Sequence, residues 1–446
     1  MSQSRINVLV TGANGGLGLG ICLRLIDDFL SRNDEAESLN IIYTTRSVRK
    51  GSETLRTLQA HLRKHHPIQQ HSRMTFQPEN VELTSLVSVR DLAHKLVSST
   101  DLARIDAVIC NAGIGGWTGL DWYKAVTHVL ADLMNNTVWP AYKLGTIGSV
   151  TKLQLPQERL SEPVPPLGEL FCANLFGHYM LVHWLMPLLR TGNSTNASKI
   201  IWVSSIEPQA DHFQESDMQG LQTDAPYEHS KRLTDILSLT YNQPATQQFV
   251  KDFTSSKSSL AATSSLPQRA DLGAPAMHVY HPGIVVTSVI SLYWIIHQAY
   301  LLSIYLARWI GSPWSTVEPY AAAHGATWLA LTSEDEIQEA EVNANARSVE
   351  DGQPVAAQGR VKWGTAITRG GKTTVRPTEV DKWGVNGSGH DYATTWWGGA
   401  NGRGRKPGAI EAKSTDVEEF IAQGVRAWDN MEVLRKAWEK RLDQAA

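Results

Sequence analysis

A doubly wound α/β fold is predicted for this chain of 446 residues on three observations. Short β-branched runs alternate with longer helical patterns over the first two-thirds, a glycine-rich turn joins the first run to the first helix, and further runs end in short polar or Gly/Pro-containing turns. Alternation of this kind means a parallel sheet covered by helices on both faces. One α/β domain over residues 1–333 accounts for it, with an insertion at about 115–166 and an apolar segment at about 288–315. Residues 334–446 read as a C-terminal extension, partly flexible, that ends in a helix.

The strands expected in order are Asn7 to Val10, Asn40 to Thr45, Met74 to Gln77, Ile105 to Cys110, Ile200 to Ser204 and Met277 to His281. Between the first two, Cys22, Leu25, Ile26 and Phe29 recur at helical spacing and give one apolar stripe to lay on the sheet. The Ser-rich stretch Thr254 to Ser265 reads as a mobile loop. In the last pattern, Val417 to Leu442, Phe420, Val425, Trp428 and Leu434 form a docking face. A formal net charge of −3 with scattered Lys and Arg argues against nucleic acid as a partner. Cys22, Cys110 and Cys172 each sit in apolar runs, which suits buried thiols in a reducing compartment rather than a disulfide framework. The run Ile6 to Val10 is too short for the hydrophobic region of a signal peptide, so no export is expected.

The first strand ends in Thr11-Gly12-Ala13-Asn14-Gly15-Gly16-Leu17-Gly18. Glycine at a strand-to-helix turn allows close backbone approach and free N–H groups, which a phosphate needs, and the helix N-terminus adds a favourable dipole. Glycine also serves turns that bind nothing, but a strand before and an amphipathic helix after favour a nucleotide. The fold expected is therefore Rossmann-like, with Gly12, Asn14, Gly16, Leu17 and Gly18 against the dinucleotide. The second strand ends at Thr45 and Arg46, where an NAD enzyme usually places an acidic residue. Arg46 can pair with a 2′-phosphate, so NADP(H) is the cofactor expected.

Reduction of a ketone by a nicotinamide requires a proton on the developing alkoxide, so an acid must stand within hydrogen-bond reach of that oxygen. Tyr227, with an ordinary pKa of ~10, serves poorly at neutral pH unless a cation stabilises its phenolate. Lys231 lies one helical turn on and on the same face. The Thr-Gly-x-x-x-Gly-x-Gly turn, Asn111-Ala112-Gly113 after the fourth strand and Tyr227-Glu228-His229-Ser230-Lys231 together resemble the short-chain dehydrogenase/reductase family over roughly residues 5 to 330. The resemblance implies that Tyr227 is the acid and that Lys231 also binds the nicotinamide ribose. It further implies that Ser205 holds the carbonyl oxygen and that Asn174 anchors a proton-relay water. Asn111, Glu82, Val285 and Thr287 stand at further cofactor positions. Three departures are visible: Glu82 stands where an aspartate is usual, Cys110-Asn111 stands where a doubled asparagine is common, and the gap from Ser205 to Tyr227 is long and carries Glu207, Asp211, Glu215 and Asp217.

The insertion at about 115–166, the phrase Phe171 to Tyr179 and the apolar stretch after Pro282-Gly283 resemble more closely the fungal 3-keto-steroid reductases of sterol C-4 demethylation. That implies a 3-oxo sterol as substrate, a 3β-alcohol as product and the enzymes of that demethylation complex as partners. A reductase of another lipid or xenobiotic ketone and a non-catalytic NADP-binding sensor or scaffold are the competing readings. Residues 284 to 310 are long enough to span a bilayer, but His297 and Gln298 sit near the middle. A helix lying in the interface is expected instead, with Tyr293, Trp294, Tyr305 and Trp309 at headgroup depth, attached monotopically to the cytoplasmic face of the endoplasmic reticulum or to a lipid droplet. The alternative is a core helix or a homo-oligomer interface. Trp117, Trp122 and Trp139 either stack on a ligand or build a small core for the insertion. No metal is expected: His61, His65, His66 and His71 lie in a polar stretch with no carboxylate near them in sequence, and read as a solvated helix end.

Overall fold

The computed structural model describes residues 4–32, 36–155, 164–189, 197–255, 273–286, 294–346, 359–384, 406 and 412–445. Its centre is β1 (Ser4–Val10), where Val8, Leu9 and Val10 have no solvent exposure because helices cover both faces. The chain turns into α1 (Gly16–Leu30), whose Ile21, Cys22, Leu25, Ile26 and Phe29 are buried, and returns as β2 (Glu37–Thr45) parallel to β1. α2 (Val48–His65), N-capped by Ser47, leads to β3 (Met74–Asn80) on the outer edge. α3 (Leu86–Val97), capped by Ser85, then carries the chain back to β4 (Ala107–Cys110) on the free side of β1. This reversal of strand order opens the crevice between the β1 and β4 ends, where open parallel sheets hold their ligands.

After β4 the insertion forms an antiparallel hairpin, β5 (Trp117–Leu120) with β6 (Lys143–Gly145), separated by helices Trp122–Ala131 and Leu133–Val138. A helical run follows, Glu169–Phe171 and Gly177–Trp184, interrupted by a π-helical turn at Cys172–Phe176 that contains Asn174. β7 (Lys199–Val203), the helix Pro226–Thr240 and β8 (Ala276–His281) continue the winding.

The sheet does not stop there. β9 (Lys362–Ile367) pairs parallel with β8, and β10 (Thr373–Thr378) closes the edge antiparallel, giving eight strands in the order β10-β9-β8-β7-β4-β1-β2-β3. The part of the chain read from sequence as an extension thus supplies two strands of the main sheet. The final helix, Ser414–Ala445, packs on Pro226–Thr240. Phe420 and Trp428 are buried and Leu434 packs against the core, while Val425 is only partly covered. Gly424 is the point of closest approach: a Cβ there would meet the Thr240 side chain at 2.6 Å.

The three cysteines are buried with free thiols. Most of the Ser-rich stretch, residues 256–265, lies outside the described residues. A second, smaller apolar cluster (Val138, Ile284, Ile304, Trp314, Val317 and Ala366) joins the insertion to helix Trp294–Ile310. Tyr305, expected at a membrane surface, packs into this cluster, whereas Trp309 is exposed. Tyr293 and the side chain of Trp294 lie outside the described residues. Among the described residues, no helix is long and apolar enough to cross a membrane.

Candidate active site

The carboxyl ends of β1, β2, β4, β7 and β8 open on one cavity of about 940 Å³. Gly12, Asn14, Gly16, Leu17 and Gly18 line one end, with Thr45, Arg46 and Glu82 beyond them. Gly12 (φ +71°) and Gly16 (φ +51°) hold left-handed backbone that side chains resist. A Cβ on Gly18 would strike the Gly12 carbonyl and the Asn111 amide, so the turn tolerates only glycine there. Asn111 ties that turn to β4: its Nδ2 donates to the Thr11 carbonyl at 2.9 Å, and its backbone N–H donates to Thr11 Oγ1 at 2.9 Å. The result is a narrow cradle of backbone at the amino end of α1, suited to a pyrophosphate. Arg46 is exposed at the cavity wall beside the N-cap of α2. Glu82 also lines the wall, with its carboxylate engaged by the Thr84 N–H and hydroxyl. Val285 lines the opposite side; Thr287 lies outside the described residues.

Tyr227, Lys231, Ser205 and Asn174 converge on the middle of the same cavity. Pro226 starts the helix with its fixed φ, so Tyr227 enters the first turn and Lys231 follows on the same face. The Lys231 Nζ lies 5.7 Å from the Tyr227 ring centroid and donates to the Val203 carbonyl at 2.7 Å. Burial draws the Lys231 ammonium down to about 8, with Asp235 opposing that fall and Lys362 adding to it. Tyr227 is pushed well above its ordinary value, first by burial and then by the carboxylate of Glu207; Lys143 and a hydrogen bond with Ser205 pull the other way.

Asn174 is held by three bonds. Its Oδ1 accepts from Ile114 N–H at 2.8 Å, while Nδ2 donates to the Ile114 carbonyl at 3.0 Å and to Ser230 Oγ at 3.2 Å. Ser230 in turn donates to the Tyr227 carbonyl at 2.8 Å, so Asn174 links the loop after β4 to the tyrosine's turn. The π turn lets Asn174 face the cavity from within a helix, a usual place for such bulges. Gly113 opposite it is required by contact, since a Cβ there would lie 2.7 Å from Asn174 Oδ1.

Ser204 and Ser205 diverge. Ser205 lines the cavity and bonds Tyr227, whereas Ser204 is buried and donates to Asp235 at 2.6 Å. Lys362, from β9, completes that buried knot: its Nζ reaches Asp235 Oδ2 at 2.6 Å and the Ser205 carbonyl at 2.6 Å. The strand that sequence reading left inside the extension thus fixes the backbone of the serine at the cavity.

Several other groups come together here. Trp117 of β5 stands 5.0 Å from the Tyr227 ring, Lys143 of β6 bridges Glu207 and Glu228, and His178 joins Thr11 Oγ1 at 2.8 Å. Burial depresses His178 to about 3, with Lys231 adding to the fall, so this ring is neutral. Of the five acidic residues between Ser205 and Tyr227, Glu207 alone lines the cavity. Asp217 caps the N–H groups of Leu221, Gln222 and Thr223, and Glu215 pairs with Arg426 of the final helix. The three tryptophans separate: Trp117 lies on Tyr227, Trp122 is 48% exposed, and Trp139 packs against the second cluster. The histidine stretch needs a correction, because His61 and His66 both have a carboxylate partner in space. Their Nε2 atoms bond the same Oδ1 of Asp27 at 2.8 and 2.6 Å, clipping α2 to α1.

No protein-family model matches the chain. A 3-keto-steroid reductase of Aspergillus fumigatus is 41% identical to it over 449 residues, covering 99% of this chain and 96% of the relative. One of Gibberella zeae is 33% identical over 485 residues, with 99% and 96% covered. One of Saccharomyces cerevisiae is 27% identical over 354 residues, with 79% and 88% covered.

Proposed function

The chain belongs to the fungal 3-keto-steroid reductases of the short-chain dehydrogenase/reductase family, and on that premise we propose that it reduces a 3-oxo sterol to the 3β-hydroxy sterol at the expense of NADPH. The observation that carries this reading is the convergence of Tyr227, Lys231, Ser205 and Asn174 in one cavity with the glycine cradle. The cradle, the α1 amino terminus and Arg46 fit a dinucleotide with a 2′-phosphate. When bound, NADPH supplies the hydride.

The chain's own residues do the rest. Ser205 and the Tyr227 hydroxyl hold the ketone oxygen, which fixes the carbonyl carbon toward the cofactor's end of the cavity. Tyr227 O–H gives its proton to that oxygen as negative charge develops there. Lys231 stabilises the phenolate left behind, and Asn174 keeps the tyrosine's helical turn in register with the loop after β4. A fused-ring substrate fits the apolar wall built by Trp117, Ile284, Val286 and Tyr300. Purified protein, NADPH and a panel of ketones test the reading: turnover of 3-oxo sterols in preference to other ketones is expected, and good turnover of another ketone without any 3-oxo sterol would exclude it.

Cofactor choice gives a separate prediction. Arg46→Ala is expected to weaken NADPH by about tenfold to a hundredfold, the value of a charge-assisted pair, and to leave NADH nearly unchanged. Fluorescence titration of both cofactors checks it.

We also infer attachment to the cytoplasmic face of the endoplasmic reticulum or to a lipid droplet, beside the substrate entrance. Helix Trp122–Ala131 exposes Trp122, Tyr123, Val126 and Leu130, and helix Trp294–Ile310 exposes Leu302 and Trp309. Both pack against Leu133–Val138, next to the cavity wall. Apolar side chains displayed on adjacent helices suit an interfacial helix pair. Enzymes of sterol C-4 demethylation are the partners such a position would serve. Flotation with liposomes is expected for the intact protein and lost when Trp122, Leu130 and Trp309 are replaced by serine. An intact protein that stays wholly in the soluble fraction would refute the attachment.

A further inference from the structure

Two cations stand near the Tyr227 ring. Lys231 is the expected one, one helical turn on; the other is Lys143, from a hairpin strand of the insertion. Lys143 Nζ lies 5.4 Å from the Tyr227 ring centroid and 4.5 Å from that of Trp117. It is held there by two carboxylates whose side chains are 14% and 10% exposed, Glu207 after β7 and Glu228 in the first turn of the tyrosine's helix, the latter at 2.6 Å. An ammonium so placed is desolvated, and both its charge and its position over the ring act at short range.

We propose that Lys143 is a second electrostatic partner of the catalytic tyrosine, positioned by Glu207 and Glu228, and that this insertion-borne triad sets the acidity at which Tyr227 exchanges its proton. The proposal rests on Tyr227 being the proton donor. It explains why the insertion and the long Ser205–Tyr227 gap occur together: each supplies one half of a salt bridge that closes over the same ring. Neither half is tolerable alone in that position, because a buried charge without its partner is costly.

The sign of each effect follows from the groups facing the triad. These are Tyr227 and Glu228 on the catalytic helix, Tyr142 and Lys143 on the hairpin, Tyr300 on helix Trp294–Ile310, and His212, which faces Glu228. Burial pushes Glu207 up against the pull of Lys143, and Glu228 is held down by the same ammonium, so both carboxylates are ionised in the alkaline range where a tyrosine titrates. There the carboxylates hold Tyr227 up and Lys143 holds it down. Removing the cation and removing one anion must therefore move the tyrosine in opposite directions.

The test is the pH dependence of kcat/KM for oxidation of a 3β-hydroxy sterol with saturating NADP+, where Tyr227 must first be deprotonated. Lys143→Met is expected to move the rising limb to higher pH by roughly one unit, Glu207→Gln to move it to lower pH, and Lys143→Arg to leave it near the wild-type position. Thermal melting of each variant with NADP+ bound verifies the fold, and Glu207→Gln alone retains the sign test if Lys143→Met does not fold. Limbs that stay in place, or that move the same way in Lys143→Met and Glu207→Gln, would overturn the proposal. Retained turnover in Tyr227→Phe would instead overturn the proton-donor reading, so the two failures are distinguishable.

Discussion

Tyr227→Phe is expected to bind NADPH with unchanged affinity and to lose turnover by roughly 10²–10⁴-fold, the usual worth of a positioned general acid. The ring stays, and with it the contact with Trp117 and the two flanking ammonium groups. Only the hydroxyl, and its bond with Ser205, is gone. Such a change acts on a group that contributes in the transition state, so kcat and kcat/KM fall together while KM moves little. Stopped-flow NADPH oxidation with a saturating ketone separates this from a binding defect. Near-normal rates in the variant would place the acid elsewhere.

Lys362→Met is expected to destabilise the fold by ~3–5 kcal/mol, the range for a buried ion pair stripped of one partner. Lys362 is 3% exposed and its Nζ satisfies Asp235, Ser204 Oγ and the Ser205 carbonyl. Without it the Asp235 carboxylate is left in the interior with the Ser204 hydroxyl alone among these bonds. Adding Asp235→Asn removes the charge left without its ion-pair partner and is expected to recover part of the loss. Guanidinium unfolding of the single and double variants measures both. A single-variant cost below ~1 kcal/mol, the level of a surface pair, would show that β9 does not carry the weight assigned to it.

These two residues also mark what was legible in the sequence. Tyr227 and Lys231 are legible because helical spacing puts them on one face and because they follow the glycine turn and Asn111-Ala112-Gly113 in an order that resembles a known family; the cradle is legible because glycines at a strand-to-helix turn are contiguous in the chain. All six expected strands begin within three residues of their observed starts, since buried parallel strands leave unbroken β-branched runs. β9 was hidden: Lys362-Trp363-Gly364-Thr365-Ala366-Ile367 is short, begins with a charge and contains a glycine. That glycine is there because the neighbours leave no room, a Cβ meeting the side chains of Thr378 and Trp314 at 2.6 Å. Lys143 and Glu207 were invisible as a pair because only tertiary folding brings the hairpin to the loop after β7. The Asp27 bridge to His61 and His66 was missed for the same reason: the carboxylate comes from a different helix.

If hydride passes in this cavity from NADPH to C3 of a sterol ketone, with the proton from Tyr227, a labelled cofactor must mark the product. The direct measurement is a single turnover of a 3-oxo sterol with NADPH deuterated at C4 of the nicotinamide, with the product examined by mass spectrometry and NMR. The expected product is a 3β-alcohol that carries one deuterium on C3, formed by Tyr227→Phe at a small fraction of the wild-type rate. A chain that binds NADPH yet transfers no label to any 3-oxo sterol, from either face of the nicotinamide, would contradict it.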